Sequence, residues 1–303
     1  MKKILFLVAV IFCVGCKTTD SLKKEESEKL TFLDLPINYK TKKDIMIIFT
    51  GSDWDEFSQK AGESLFTQEF FEKYYTQYDI YNVDIVRNSS LMSESALEKS
   101  YQYFSEYDVT GLPTIALETN AGSVYALDSF ETYCGSLESF DIFLQEKLQS
   151  REKIIELEKK INESEGYERT IAIDEFLKNV KLAYSTRYST LIFSALESDP
   201  ENKSGLKKEY LLRVAELKAV SYMNKDKVRE AADEFLAIVE DLLFADSEKQ
   251  GIYYTAAYFL ASQEKNTEEV LELLNKALSI APKSELAPQI QRVIKTVSKR
   301  LDD

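Results

Sequence analysis

The sequence predicts two folded parts: a mixed α/β domain, then a domain made only of helices. Three observations point there. The apolar run Ile45 to Phe49 is rich in β-forming residues and too short for a helix. It leads through Thr50-Gly51-Ser52-Asp53 and Trp54 straight into a segment with helical periodicity. From Gly166 onward the chain is almost entirely amphipathic helix, without strand signals.

Composition sets the bounds. A chain of 303 residues suggests two domains, and only 9 Gly and 5 Pro favour much helix and few long loops. There is no His, which removes the commonest general base and metal ligand together. The net charge of -14 repels nucleic acid and anionic lipid heads, so protein partners are expected and nucleic acid is not. Glycine-rich phosphate loops and serine nucleophile elbows are missing, and no cofactor is expected.

In chain order, Met1-Lys2-Lys3 is a basic start and Ile4 to Val14 an apolar stretch of secretory length. It is shorter than a typical bilayer span. It ends Phe12-Cys13-Val14-Gly15-Cys16, which resembles the bacterial lipobox, although Cys13 stands where Leu is usual. The resemblance implies cleavage before Cys16 and lipid attachment to it. Residues 1–16 are then a lipoprotein signal peptide. The mature chain, with 36 basic against 52 acidic residues, is tethered to a membrane of the bacterial cell envelope and faces the periplasm or the surface. Residues 17–41, polar and charged, read as a tether.

The α/β domain is expected over residues 42–148. Asp55 to about Tyr78 reads as a helix, with Phe57, Ala61, Leu65, Phe66, Phe70, Phe71 and Tyr74 on a recurring face. Asp79 to Val86 alternates as a half-buried strand does. Ser93 to Tyr107 is a helix with Ser93 as a cap. Thr114 to Leu117 and Ser123 to Leu127 flank Thr119-Asn120-Ala121-Gly122, a hairpin signal. A helix from Ser136 continues to Glu163 and bridges into the next domain.

A strand that ends in a Trp-bearing turn and enters a helix resembles the active-site corner of the thioredoxin family. Tyr107-Asp108-Val109-Thr110-Gly111-Leu112-Pro113-Thr114 is similar to that family's segment ending in a cis-proline. The resemblance covers roughly residues 40 to 148, about a third of the chain. It implies a thioredoxin-like fold, a central mixed sheet flanked by helices, with Pro113 cis and facing the corner. Where the family carries Cys-x-x-Cys after the Trp, this chain has Asp55, Glu56, Phe57 and Ser58.

The second domain, residues 149–303, reads as helices at about 167–181, 184–197, 203–222, 226–243, 249–263, 267–279 and 284–300. Asp174-Glu175-Phe176-Leu177 recurs as Asp233-Glu234-Phe235-Leu236. Helix pairs with short polar links such as Asn224-Lys225-Asp226, and the ending Ala277-Leu278-Ser279-Ile280-Ala281-Pro282, resemble degenerate tetratricopeptide repeats. The resemblance implies an all-α stack of hairpins, each burying its apolar face on its neighbours.

Few residues offer chemistry. Thiol exchange needs a thiolate, and neither Asp55 nor Ser58 supplies one. Asp55 at a helix start is suited to capping, worth about 0.5–2 kcal/mol. Cys134 is a lone thiol, expected half-buried near the last strand. Asp53, Asp55 and Glu56 form an acidic cluster without the ligand spacing of a calcium loop, so no metal is expected. Trp54, Phe57, Leu112 and Pro113 are either core residues or the walls of a peptide groove. The leading expectation is therefore a membrane-anchored, redox-inactive interaction or scaffolding protein and not an enzyme. The alternative is a thiol-disulfide oxidoreductase or isomerase that works through Cys134 or a partner's thiol.

Overall fold

The computed structural model describes residues 29–262 and 267–302. The leader, Cys16 and the first part of the expected tether lie outside the described residues. Among the described residues no helix is long and apolar enough to cross a membrane.

Strand β1 (Asp44–Thr50) is the centre of a four-stranded sheet ordered β2-β1-β3-β4, with β2 at Tyr78–Asp84, β3 at Thr114–Glu118 and β4 at Val124–Ser129. β1 pairs parallel with β2 and antiparallel with β3, and β3 pairs antiparallel with β4. Both faces of β1 are covered, which is why its run is uniformly apolar. Period-two alternation splits it: Met46 and Ile48 enter one core, Ile45, Ile47 and Phe49 the other. This mixed sheet and its helices are compatible with a thioredoxin-like domain joined to a helical one.

The single helix expected over 55–78 is two, α1 (Glu56–Ser64) and α2 (Gln68–Tyr74). Thr67 is extended and its hydroxyl accepts from Phe70 N, so a new cap starts a second helix. The break lets Phe70 and Tyr74 meet Phe140 edge-on or tilted, with centroids 5.6 and 5.7 Å away. Helix α3 (Glu94–Glu106) starts at the Ser93 cap. The β3–β4 hairpin turns at Gly122, whose φ of 87° suits glycine.

The sheet edges are partly covered, which limits edge pairing with other chains. Residues 30–39, at the end of the expected tether, are not free. Leu33 bridges Tyr81 in parallel and donates to Ile80 O at 2.8 Å, and Phe32 packs edge-on against Phe66 and Phe71. On the other edge, Val124 N donates to the Tyr188 hydroxyl at 3.0 Å and Val124 O accepts from Lys181 N.

Helix α4 (Leu137–Glu163) runs 27 residues from its Ser136 cap. It is followed by α5 (Gly166–Asn179), α6 (Ser189–Ser198), α7 (Lys207–Met223), α8 (Val228–Leu236), α9 (Asp246–Ala261), α10 (Thr267–Ile280) and α11 (Ala287–Asp302), each packed on the next. A 3-10 turn at Thr186–Tyr188 replaces the start of the helix expected at 184. α7 starts later than 203 because the Asp199 carboxylate collects the N–H groups of Lys203 and Ser204 and holds a loop. α8 ends before 243 in successive turns that bury Val239 and Phe244.

The expected boundary at residues 148 and 149 falls inside α4. The apolar residues of α4 keep helical spacing across it, from Phe140, Phe143 and Leu144 to Ile154, Leu157 and Ile161. The core on one side of the sheet therefore extends to Val214, and a separate one spans Ala215 to Ile290. Packing divides the chain within α7.

Candidate functional site

The corner after β1 is built by backbone needs. Asp55 is extended and precedes α1, so its carboxylate meets the helix's free N–H groups. Asp55 Oδ2 accepts from Ser58 N at 2.8 Å and from Ser58 Oγ at 2.6 Å. Ser58 Oγ in turn accepts from Gly51 N at 3.1 Å, and Ser58 is buried. The two positions that resemble the redox cysteines are thus held by a carboxylate and a hydroxyl that fasten the turn to the helix. Asp53 points elsewhere: it accepts from Arg87 N at 3.0 Å and Asn88 N at 2.7 Å. The Arg87 N–H first, helped by that of Asn88, holds its carboxyl below the usual range. Among the described residues no group of three or more His, Cys, Asp or Glu side chains is placed to hold a metal ion.

Trp54 lies across Gly51, where a Cβ would come within 2.6 Å of the indole. Its N–H donates to Ile85 O at 2.7 Å, and the Arg87 guanidinium stacks over the ring at 4.1 Å. Trp54 and Phe57 are 36% and 40% exposed, so neither is a core residue. Leu112 is buried in the core with Phe49 and Tyr107. Pro113 is buried, and the Leu112–Pro113 bond is cis. The exposed part of the corner is thus Trp54 and Phe57, with Arg87 added by the fold.

Cys134 is distant from Asp55 in sequence but close in space. Lys60 Cε lies 3.4 Å from where a Cβ on Gly135 would stand, and the charges of Lys60 and Asp55 both act on the thiol. Cys134 is fully buried, where a half-buried thiol was expected, and donates to Glu131 O at 3.0 Å. Burial pushes the Cys134 thiol up, against the pull of Lys60. Burial and this shift both disfavour the thiolate that a nucleophilic cysteine needs.

A second polar centre joins residues far apart in the sequence. Glu118, the last residue of β3, is wholly buried. Arg187, from the 3-10 turn before α6, reaches it with Nη1 3.1 Å from Oε1. The same nitrogen donates to the Tyr39 hydroxyl and to Gly122 O, each at 3.3 Å. The guanidinium lies 4.7 Å from the centre of the Tyr107 ring, and Tyr107 OH donates to Glu118. Burial pushes the Glu118 carboxyl up, against the pull of Arg187. The centre ties the docked N-terminal segment, the sheet and the helical part together. It lies beside a cleft of about 720 Å³ that Tyr39, Gly122 and Arg187 help to line. The signal for it is Glu118 itself: a carboxylate in an apolar strand needs a partner.

Comparison with known proteins adds three findings. Residues 206–302 match a family described as "Uncharacterised protein C-terminal domain", a span that takes in the core from Ala215 to Ile290. An uncharacterised protein of Treponema pallidum (strain Nichols) is 30% identical over 236 residues, 78% of each chain. A solved structure, "DsbH Oxidoreductase", covers 44% of this chain and 95% of its own, at 21% identity and a TM-score of 0.34.

Proposed function

We propose a function for a chain that belongs to the same family as the uncharacterised Treponema pallidum protein: a redox-inert, thioredoxin-like interaction protein of the bacterial envelope, anchored by lipid on Cys16. The observation that carries this reading is the Asp55–Ser58 pair. Both side chains are engaged in capping α1 and closing the turn, and no sulfur stands at either place. Cys134 does not replace them, since its thiol is buried and donates to a backbone carbonyl. Protein partners dock at the exposed Trp54 and Phe57 and along the helical part.

The helical part is a degenerate, tetratricopeptide-like array in this reading. Two equivalences support it. Phe176 and Phe235, at matching places in the recurring Asp-Glu-Phe-Leu, are both buried. The preceding glutamates each reach a lysine on the helix before: Glu175 to Lys160 at 2.7 Å, Glu234 to Lys218 at 3.1 Å. α5 and α8 are thus each fastened to the helix before them in the same way.

The test is a photo-crosslinking residue at position 57 of the full chain in native membranes. A discrete protein adduct, lost when Trp54→Ala is added, is expected. Crosslinking to lipid or solvent alone, or an adduct indifferent to Trp54→Ala, counts against docking at this corner.

A further inference from the structure

A smaller cavity, of about 290 Å³, lies between the 3-10 turn, α6 and α7. Its walls include Ile192, Leu217 and Val220, and Arg213 and Glu216 also face it. The two charged residues are three apart on α7 and so stand on one face of the helix. Arg213 is 9% exposed. Its Nη2 donates to Glu209 at 2.7 Å, and its guanidinium carbon lies 4.9 Å from the Tyr184 ring and 5.5 Å from the Tyr210 ring. Its Nη1 is buried with no hydrogen-bond partner among the described residues. A guanidinium beside two rings, with one donor unused, is suited to a planar anion. Tyr184, whose ring lies beside it, is itself 79% exposed and is not part of the core.

The neighbouring charges narrow the ligand. Glu209 already offsets Arg213, and Asp174 is paired with Lys178. Glu216, at the exposed rim, is left as the excess charge. Partial desolvation pushes its carboxyl up, against the pull of Arg213, so a cation beside it is welcome. A plain anion would add to this negative excess, whereas a zwitterion meets both groups. The volume is at the small end of ligand sites, and Ile192, Leu217 and Val220 give it an aliphatic side. We infer that this cavity binds a small aliphatic amino acid, its carboxylate on Arg213 and its ammonium group on Glu216.

The test is titration calorimetry on the full chain with three probes: L-leucine, 4-methylpentanoate, which lacks the ammonium group, and N-acetyl-leucine, which stands for a peptide C-terminus. Leucine should bind saturably in the millimolar range or better, and at least about tenfold more tightly than either other probe. Arg213→Gln and Glu216→Gln should each weaken leucine about tenfold or more. Because Arg213 is buried and its variant is exposed to misfolding, Glu216→Gln at the rim carries the test by itself. Absence of saturable leucine binding overturns the inference, as does binding unchanged in a folded variant. Tighter binding of N-acetyl-leucine or 4-methylpentanoate also overturns it, because the ammonium contact would then contribute nothing.

Discussion

Replacing Arg187 by Met should cost far more than a surface charge normally does. The substitution keeps an apolar stem and removes the charge that faces Glu118 at 3.1 Å, together with the donors to Tyr39 and Gly122. Glu118 has no exposed surface, and its Oε2 already has no partner among the described residues. Removing one member of a buried ion pair typically costs about 3–5 kcal/mol. Protonation of Glu118 offers partial relief. Burial already raises this carboxyl above its unfolded value, and loss of Arg187 raises it further. A carboxyl raised on folding contributes stability that is present below its unfolded pKa and lost as pH rises through its folded pKa. The deficit should therefore be about 3 kcal/mol near pH 7.5 and smaller by about 1 kcal/mol or more near pH 5. Urea unfolding followed by far-UV circular dichroism measures both, and Glu118→Gln in the variant should recover part of the loss. A deficit under about 1 kcal/mol at both pH values, or one that does not shrink on acidification, refutes the buried-pair account.

Two further outcomes concern the corner. Asp55→Ala removes the α1 cap and the acceptor for Ser58 Oγ, and should cost about 1–2 kcal/mol in urea unfolding, while Asp55→Asn retains most of the cap. Equal loss in both variants would show that capping is not the role of Asp55. Cys134, buried and with its thiol pKa pushed up, should resist iodoacetamide in the native protein and react fully in denaturant. Native alkylation at the rate of a free thiol would contradict that burial.

The elements that could be read from the sequence are those whose periodicity or cap is local. β1 shows as an unbroken apolar run because both its faces are covered, and Ser93 and Ser136 announce their helices. The continuous α4 follows from the same spacing. What was hidden depends on distant partners. Residues 30–39 look like a polar linker, yet Leu33 joins the sheet through backbone bonds to Ile80 that side-chain pattern does not encode. The α1–α2 break looks like one helix because Leu65 and Phe66 sit on the apolar stripe, while the decisive group is the Thr67 hydroxyl. At the candidate site, the Trp turn and the missing sulfurs were plain. The inward turn of Leu112 and the stacking of Arg87 on Trp54 were not, since both arise from packing between segments far apart in sequence.

Reduction of a disulfide-bonded protein substrate by excess dithiol measures redox inertness without intermediaries. Three proteins are compared with a buffer control: wild type, Cys134→Ser, and Asp55→Cys with Ser58→Cys. Catalysis requires one sulfur to attack and a second to resolve the mixed disulfide. No rate above buffer is expected for wild type and for Cys134→Ser, and a measurable rate for the folded double variant. Turnover by wild type that disappears in Cys134→Ser would contradict redox inertness and identify the protein as a thiol-disulfide oxidoreductase.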